Sequence, residues 1–404
     1  MRIGIVTPAF LFREFSKYFN ETDKEYLDSI EQNENGPAPS VIVQGLINEG
    51  HFIRVFTDGP DNRIFRSNKI DIITINSISG IRKYIKLNEL KTAYFFAKEI
   101  KRHLKDLDVL HAHWSYYTAL AAGCYAKKIP VFCTVRDWTP VIRNFLPKRG
   151  GIQWKIKQII NDFNLKNKKI HFIGNSPYTQ KLLEERLQIK IPCIMNPIND
   201  AYIKYDEKIY PSNLSIICIA SSIDSRKNLE NLLLAYQKIK NIYPDSLLTC
   251  VFGYANLLDQ NQLYKSWIAK GLFHNVRILK GLKHSEIFKY IDEATFMVNP
   301  SLEETFGNTI IESMVRKTPI IAGKKSGAIP YLIGNNERGI LCDVTSVDDI
   351  VNTIVDAYRN IDASKTKAIN AYNWCICNNT LQPIANAHID FYKKYLSNNV
   401  NSSN

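Results

Sequence analysis

Short runs of apolar, largely β-branched residues alternate along the chain with longer stretches in which apolar positions recur every three or four residues. The first half reads as strand IGIVT, helix 40 to 49, strands FIRVFT and DIITI, helix 87 to 105, strand VLHAHW, helix 117 to 127, strand PVFCTV, a basic helix near 152 to 166, and strand HFIGNS. After a polar segment at about 199 to 213 the alternation restarts with LSIICIAS, helix 228 to 240, SLLTCVFG, helix 260 to 270, VRILKG, helix 284 to 291, FMVNPS, helix 307 to 316 and PIIAG. Strand-helix alternation of this kind predicts parallel sheets covered on both faces. Two successive series predict two Rossmann-like α/β domains, residues 1–200 and 201–379, with the linker near 197 to 212, where Pro, Asn and Asp punctuate the chain. A final helix at about 380–397 is assigned to the first domain.

Length agrees, since 404 residues suit two domains better than one core. With 45% hydrophobic and 23% charged residues the composition is that of a globular enzyme, and no window approaches the roughly 20 apolar residues of a membrane span. The start, MRIGIVTPAF, lacks the features of a secretory signal and reads as a buried strand, which predicts a cytoplasmic protein. The eight cysteines are scattered and read as reduced core residues; Cys375 and Cys377 lack the second pair that a zinc site needs.

The net charge of +13 is uneven, with +10 on residues 1–200 and +3 on residues 201–404. It concentrates at 82–105, with eight Lys/Arg against two Glu, and at 143–169, with eight against Asp162. The first stretch also carries Tyr84, Leu87, Leu90, Tyr94, Phe95 and Ile100 in an amphipathic helical pattern. That pattern is compatible with peripheral contact to an anionic membrane, here the cytoplasmic face of an inner membrane; a solvated lysine-rich face is the alternative. No helix-turn-helix, zinc-finger or RNA-binding signature accompanies the charge, which argues against nucleic acid.

The most informative segment is NPSLEETFGNTIIESMVRKTPIIAGKKSGAIP, residues 299 to 330. A strand ends at Pro300, Glu304 lies in the loop, and a helix starting around Phe306 to Asn308 carries Glu312 in its second turn. Both carboxylates can then face a ligand at the strand's C-terminal edge. Gly307 allows close backbone approach, and the first free N–H groups of the helix favour a diphosphate.

This segment resembles the E-x7-E motif of the large retaining glycosyltransferase family 4, and the resemblance extends over nearly the whole chain. It implies a GT-B fold, two facing Rossmann-like domains with a cleft between them, in an enzyme of bacterial surface-polysaccharide type. It also implies that Glu312 bonds the nucleotide ribose, that Glu304 contacts donor-sugar hydroxyls, and that Phe306 and the Gly307, Asn308 and Thr309 amides line the diphosphate site. Carboxylates suit hydroxyl donors. Upstream, IASSIDSRKNLENLLLAY resembles the family segment carrying the cations that neutralise the leaving diphosphate. Lys227 falls on the family lysine, whereas Ser222 stands at the family arginine, so Arg226 is the expected replacement; a plain surface-helix start is the alternative for both cations.

In the first half, Gly36 in NGPAP resembles the loop after the first strand that closes on the diphosphate, with an ordinary turn as the alternative. His113 ends VLHAHW, and Arg136 and Asp137 end the next strand, at the edge where open parallel sheets bind ligands. Many relatives have a histidine where Arg136 stands; an arginine there suits an acidic sugar or an acceptor phosphate. Ser176 matches a family helix start that faces substrate and is otherwise an N-cap, and His113 is otherwise a structural hydrogen-bonder.

The expected activity is therefore metal-independent, cofactor-free transfer of a hexose-type sugar, with retention, from a nucleoside diphosphate sugar to a glycan or lipid-linked acceptor in surface polysaccharide (capsule or lipopolysaccharide) synthesis. Alternatives on the same architecture are a sugar-nucleotide epimerase or a phosphorylase; from another class, a catalytically silent sugar-nucleotide-binding partner of a glycan-assembly complex. Asp106-Leu107-Asp108 has D-x-D spacing but reads as a solvated turn rather than a metal site.

Overall fold

The structure, a computed structural model, describes residues 1–30, 37–76, 88–145, 151–253, 258 and 260–401. The chain divides into two compact units, Met1–Pro197 with Leu381–Asn404, and Ile198–Thr380.

Unit 1 is built on β1 (Arg2–Thr7), β2 (Phe52–Asp58), β3 (Arg63–Arg66), β4 (Ile70–Ile75), β5 (Val109–His113), β6 (Val131–Val135) and β7 (Ile170–Gly174), in the spatial order β3-β4-β2-β1-β5-β6-β7. Its principal helices are α1 (Ala38–Asn48), α2 (Asn88–His103), α3 (Tyr117–Gly123), α4 (Gly151–Leu165) and α5 (Pro177–Leu187). In β1, every residue after Arg2 is buried, because helices cover both faces of a central parallel strand. The strand β3 is absent from the sequence reading. It pairs antiparallel with β4 at the sheet edge, and only Phe65 of its four residues is buried, so it carries almost no apolar signal.

Unit 2 is built on β8 (Ser215–Ala220), β9 (Leu247–Phe252), β10 (Val276–Lys280), β11 (Phe296–Asn299), β12 (Ile320–Gly323) and β13 (Ile340–Cys342), in the order β10-β9-β8-β11-β12-β13. All of these neighbours pair in parallel. The helices are α6 (Leu229–Ile242), α7 (Gln262–Ala269), α8 (His284–Asp292), α9 (Asn308–Met314), α10 (Ile329–Ile333), α11 (Val347–Arg359) and α12 (Ile361–Asn379). Every residue of β11 and β12 is buried, whereas the edge strand β10 alternates Arg277 and Lys280 with half-buried aliphatics.

The last helix, α13 (Leu381–Asn401), belongs to unit 1 although it follows α12 of unit 2 after a break at Thr380. It lies against α1, where Gly45 permits the approach: a Cβ there would sit 3.0 Å from the Ala385 Cβ and 3.1 Å from the Leu381 carbonyl oxygen. Its Tyr392 ring packs on Phe132 of β6 with centroids 4.9 Å apart. The cysteines are all free thiols, but Cys124 and Cys377 are exposed rather than core residues. Cys377 sits on α12 and Cys124 caps the end of α3, and an apolar run does not reveal that either is exposed.

Strand order places the chemistry. In unit 2 the chain builds outward from β8 through β9 to β10, then returns to the other flank of β8 with β11. Ligands bind beyond the carboxyl ends of strands where the order reverses, here between β8 and β11. In unit 1 the same reversal falls between β1 and β5.

Candidate functional site

The loops that leave β8 and β11 meet at the unit 2 reversal. After β8, Asp224 accepts from the Arg226 amide at 3.0 Å and from the Ser222 hydroxyl at 2.9 Å. This cap starts a 3-10 turn, Ser225–Lys227, that presents two cations in succession. Asn228 closes the turn at φ 50°, and its Nδ2 donates to the carbonyls of Pro300 at 3.1 Å and Val344 at 2.7 Å, clamping the turn to the β11 loop.

Glu304 receives what this turn presents. Lys227 Nζ donates to Glu304 Oε1 at 2.6 Å, Ser301 Oγ donates to the same oxygen at 2.8 Å, and an Arg226 guanidinium nitrogen lies 3.8 Å from Oε2. Arg226 also donates to the Glu303 carbonyl at 3.1 Å. Burial pushes the Glu304 carboxyl up, but Lys227 and Arg226 outweigh it and hold the group below the usual glutamate range. Glu304 is thus ionised at neutral pH, and Lys227 keeps donor capacity beyond the one hydrogen that it gives to Glu304.

Gly307 precedes α9 at φ 103°, where a Cβ would also lie 2.8 Å from Ile329 Cδ1, so the turn needs glycine on both counts. Phe306 is buried beneath it, and Asn308 and Thr309 open the helix. Glu312, also buried, is in the second turn of α9 and accepts a hydrogen bond from His284 Nε2, the first residue of α8, at 2.8 Å.

In unit 1, His113 and Arg136 do meet, at the ends of β5 and β6. Both are buried; the guanidinium donates to His113 Nδ1 at 3.1 Å and to the Asn196 side-chain oxygen. Because a guanidinium only donates, His113 carries its proton on Nε2, which has no hydrogen-bond partner among the described residues. Arg136 is a buried member of this cluster, and burial lowers it to about 9. Asp137 accepts from Trp114 Nε1 at 2.9 Å. Ser176 is the N-cap of α5, accepting from the Thr179 amide at 3.1 Å.

Gly36 lies outside the described residues. Asp106 pairs with Arg54 at 3.3 Å, and Asp108 accepts the Arg2 amide at 2.7 Å. Asp224, Asn228, Ser301 and His284 escape sequence reasoning altogether. Asp224 carried a legible signal, an Asx residue two positions before the cations, but His284 is 28 residues from Glu312 and nothing in the chain links them.

Residues 41–202 match the model of Glycosyltransferase Family 4, and residues 205–374 match that of Glycosyl transferases group 1, so the two together span most of the chain. An uncharacterised glycosyltransferase of Methanocaldococcus jannaschii is 22% identical over 76% of this chain and 81% of its own length. Sucrose-phosphate synthase from Thermosynechococcus elongatus shares the fold with a TM-score of 0.76 at 15% identity, over 98% of this chain and 99% of that one. Anabaena HepE, solved in complex with UDP and glucose, does so with a TM-score of 0.65 at 15% identity, over 97% and 99%. Two parallel α/β units, each matched by its own glycosyltransferase model and together sharing their fold with solved proteins along nearly their whole length, place the chain in the GT4-type glycosyltransferases of GT-B fold.

Proposed function

We propose that this glycosyltransferase moves a hexose-type sugar from a nucleoside diphosphate sugar, bound by unit 2, to a hydroxyl of a glycan or lipid-linked acceptor, with retention at the anomeric carbon and without a metal or cofactor. The observation that carries the proposal is the cluster at the β8/β11 reversal, where Lys227 and Arg226 flank an ionised Glu304. In this reading Glu304 accepts hydrogen bonds from donor-sugar hydroxyls, and Glu312 does so from the ribose. As the acceptor oxygen bonds to the anomeric carbon on the face from which the nucleotide departs, the bond to the diphosphate breaks and the hydroxyl proton passes to the departing diphosphate oxygen. Charge that develops on the diphosphate is met by Lys227, by Arg226 in place of the arginine that Ser222 lacks, and by the amides at the start of α9. HepE is a protein of the same fold solved with UDP and glucose, which supports a uridine nucleotide as the first candidate. His113, Arg136, Asp137 and Ser176 are assigned to the acceptor or sugar side.

Calorimetric titration with UDP and GDP is expected to show binding of one nucleotide, weakened at least tenfold in Glu312→Ala, because a buried carboxylate that accepts hydroxyl hydrogen bonds contributes about 1.5–3 kcal/mol. Analysis of the product anomer is expected to show the donor's own configuration. Binding untouched by the substitution removes the ribose role, and an inverted product removes retention. Sugar transfer to a separate acceptor also distinguishes this activity from an epimerase, a phosphorylase or a silent partner.

A place for surface-polysaccharide synthesis at a membrane rests on unit 1. Tyr94 on α2 and Ile159 and Phe163 on α4 are 64%, 60% and 63% exposed, on helices that also carry Lys91, Lys98, Lys101, Lys155 and Lys157. Exposed aromatic and aliphatic side chains among lysines suit the headgroup layer of an anionic bilayer. Residues 82–87 of the basic stretch lie outside the described residues. Sedimentation with phosphatidylglycerol vesicles, but not with phosphatidylcholine vesicles, is the expected result, reduced several-fold in Ile159→Ser/Phe163→Ser. Equal sedimentation of variant and wild type sinks the assignment of this face.

A further inference from the structure

We infer that His284 is a positioning residue for the nucleotide: it holds the Glu312 carboxylate in the orientation from which that group grips the ribose. The inference rests on the donor-site role proposed above for Glu312.

The geometry is specific. A carboxylate can only accept, so the 2.8 Å contact places a proton on His284 Nε2 and directs it at Glu312 Oε1. The other oxygen, Oε2, has no hydrogen-bond partner among the described residues, so half of the carboxylate is tied down and half is left for a ligand. Both side chains are largely buried, at 10% exposure for His284 and 6% for Glu312, so water does not offer Oε1 a substitute donor on equal terms.

The imidazole is itself held. Tyr202 meets it edge-on with ring centroids 5.3 Å apart at 90°, Phe288 meets it at 5.3 Å and 74°, and these two rings stack on each other at 4.1 Å. Phe288 lies one turn further along α8, and Tyr202 comes from the segment that opens unit 2. A ring fixed on two sides presents its N–H along one line, and a carboxylate with one oxygen so bonded loses most of its freedom to rotate about its last torsion. Orientation supplied before the ligand arrives is not lost from the binding free energy when it does.

The test is calorimetric titration of UDP and GDP into four proteins: wild type, His284→Gln, His284→Asn and Glu312→Ala. Gln places an amide N–H close to where His Nε2 lies, whereas Asn reaches only as far as Nδ1. The expected result is near-wild-type affinity in His284→Gln, a loss of about tenfold in His284→Asn, and no added loss when His284→Asn is combined with Glu312→Ala. In turnover, His284→Asn is expected to raise the donor KM with kcat nearly unchanged, since the ribose is remote from the breaking bond.

If Glu312→Ala weakens the nucleotide but both His284 variants bind like wild type, the inference is overturned and the donor site stands. Equal losses in Gln and Asn variants, or additive losses in the double variant, assign His284 to packing and also overturn it. If Glu312→Ala binds like wild type, or neither nucleotide binds wild type, the donor-site reading itself falls and takes the inference with it.

Discussion

Replacing Lys227 by alanine is expected to lower kcat by about 10²–10³, with a much smaller change in donor affinity. Loss of one preorganised donor at the position where charge develops has an effect of this size, about 2.7–4 kcal/mol in the barrier. The physical basis is the placement of Lys227 in a capped turn: Asp224 starts the turn, Asn228 ends it, and Glu304 takes one Lys227 hydrogen at 2.6 Å. A cation so held needs little rearrangement to meet a diphosphate. Arg226, 3.8 Å from the same carboxylate, is expected to retain part of the rate, so the Arg226→Ala/Lys227→Ala double variant falls further than either single one. Steady-state kinetics on the purified variants measure this. A Lys227→Ala enzyme with wild-type kcat would place the leaving-group cation elsewhere.

Acid is expected to destabilise unit 1 between about pH 7 and 5.5. His111, His113 and His388 are buried in one cluster, with the His111 and His113 rings 4.2 Å apart and those of His111 and His388 5.1 Å apart. Burial, followed by the Arg136 charge, pushes His388 down to about 3. Burial, the neighbouring histidine and Arg136 hold His111 and His113 well below the usual 6.5. Their folded values lie below their unfolded ones, so the stability that these neutral rings allow is complete above pH 6.5 and is lost as the pH falls towards the folded values.

Each such histidine contributes a slope of about 1.4 kcal/mol per pH unit in that window, and three of them remove about 4 kcal/mol between pH 7 and 5.5. His51, His103 and His171, also lowered by burial, act in the same direction. Urea unfolding at the two pH values measures the loss, and His388→Asn is expected to remove about a third of the cluster's share. A flat stability profile would mean that the rings are protonated in the folded state.

Glutamates separated by seven residues, one in a loop and one in the second turn of the helix that follows, are legible because loop, helix start and carboxylate are contiguous. Lys227 is legible for the same reason. The surroundings of Arg136 were not legible, because a strand end says nothing of what is packed over it: the side chain is 6% exposed and donates to Asn196 and His113. Ser222 does not replace an arginine but donates to Asp224, and so helps to build the turn that carries Arg226.

Hydrophobic periodicity determines most of the strands and helices as far as β12, that the sheets are covered on two faces, and that there are two series of them, since each of these properties is a matter of neighbours along the chain; α10, β13 and α11 are not read from it. Tertiary structure alone decides the strand order, and with it the reversal between β8 and β11 that brings Glu304 to Lys227 from 77 residues away. It also decides that α13 returns to unit 1, where the Tyr392 hydroxyl meets His111 Nδ1 at 2.6 Å across 281 residues. The weak edge strand β3 and the His284–Glu312 pair belong with these. The reason is physical: a local pattern fixes how much of each element is buried, whereas which buried faces and polar groups meet depends on long-range packing that no stretch of sequence contains by itself.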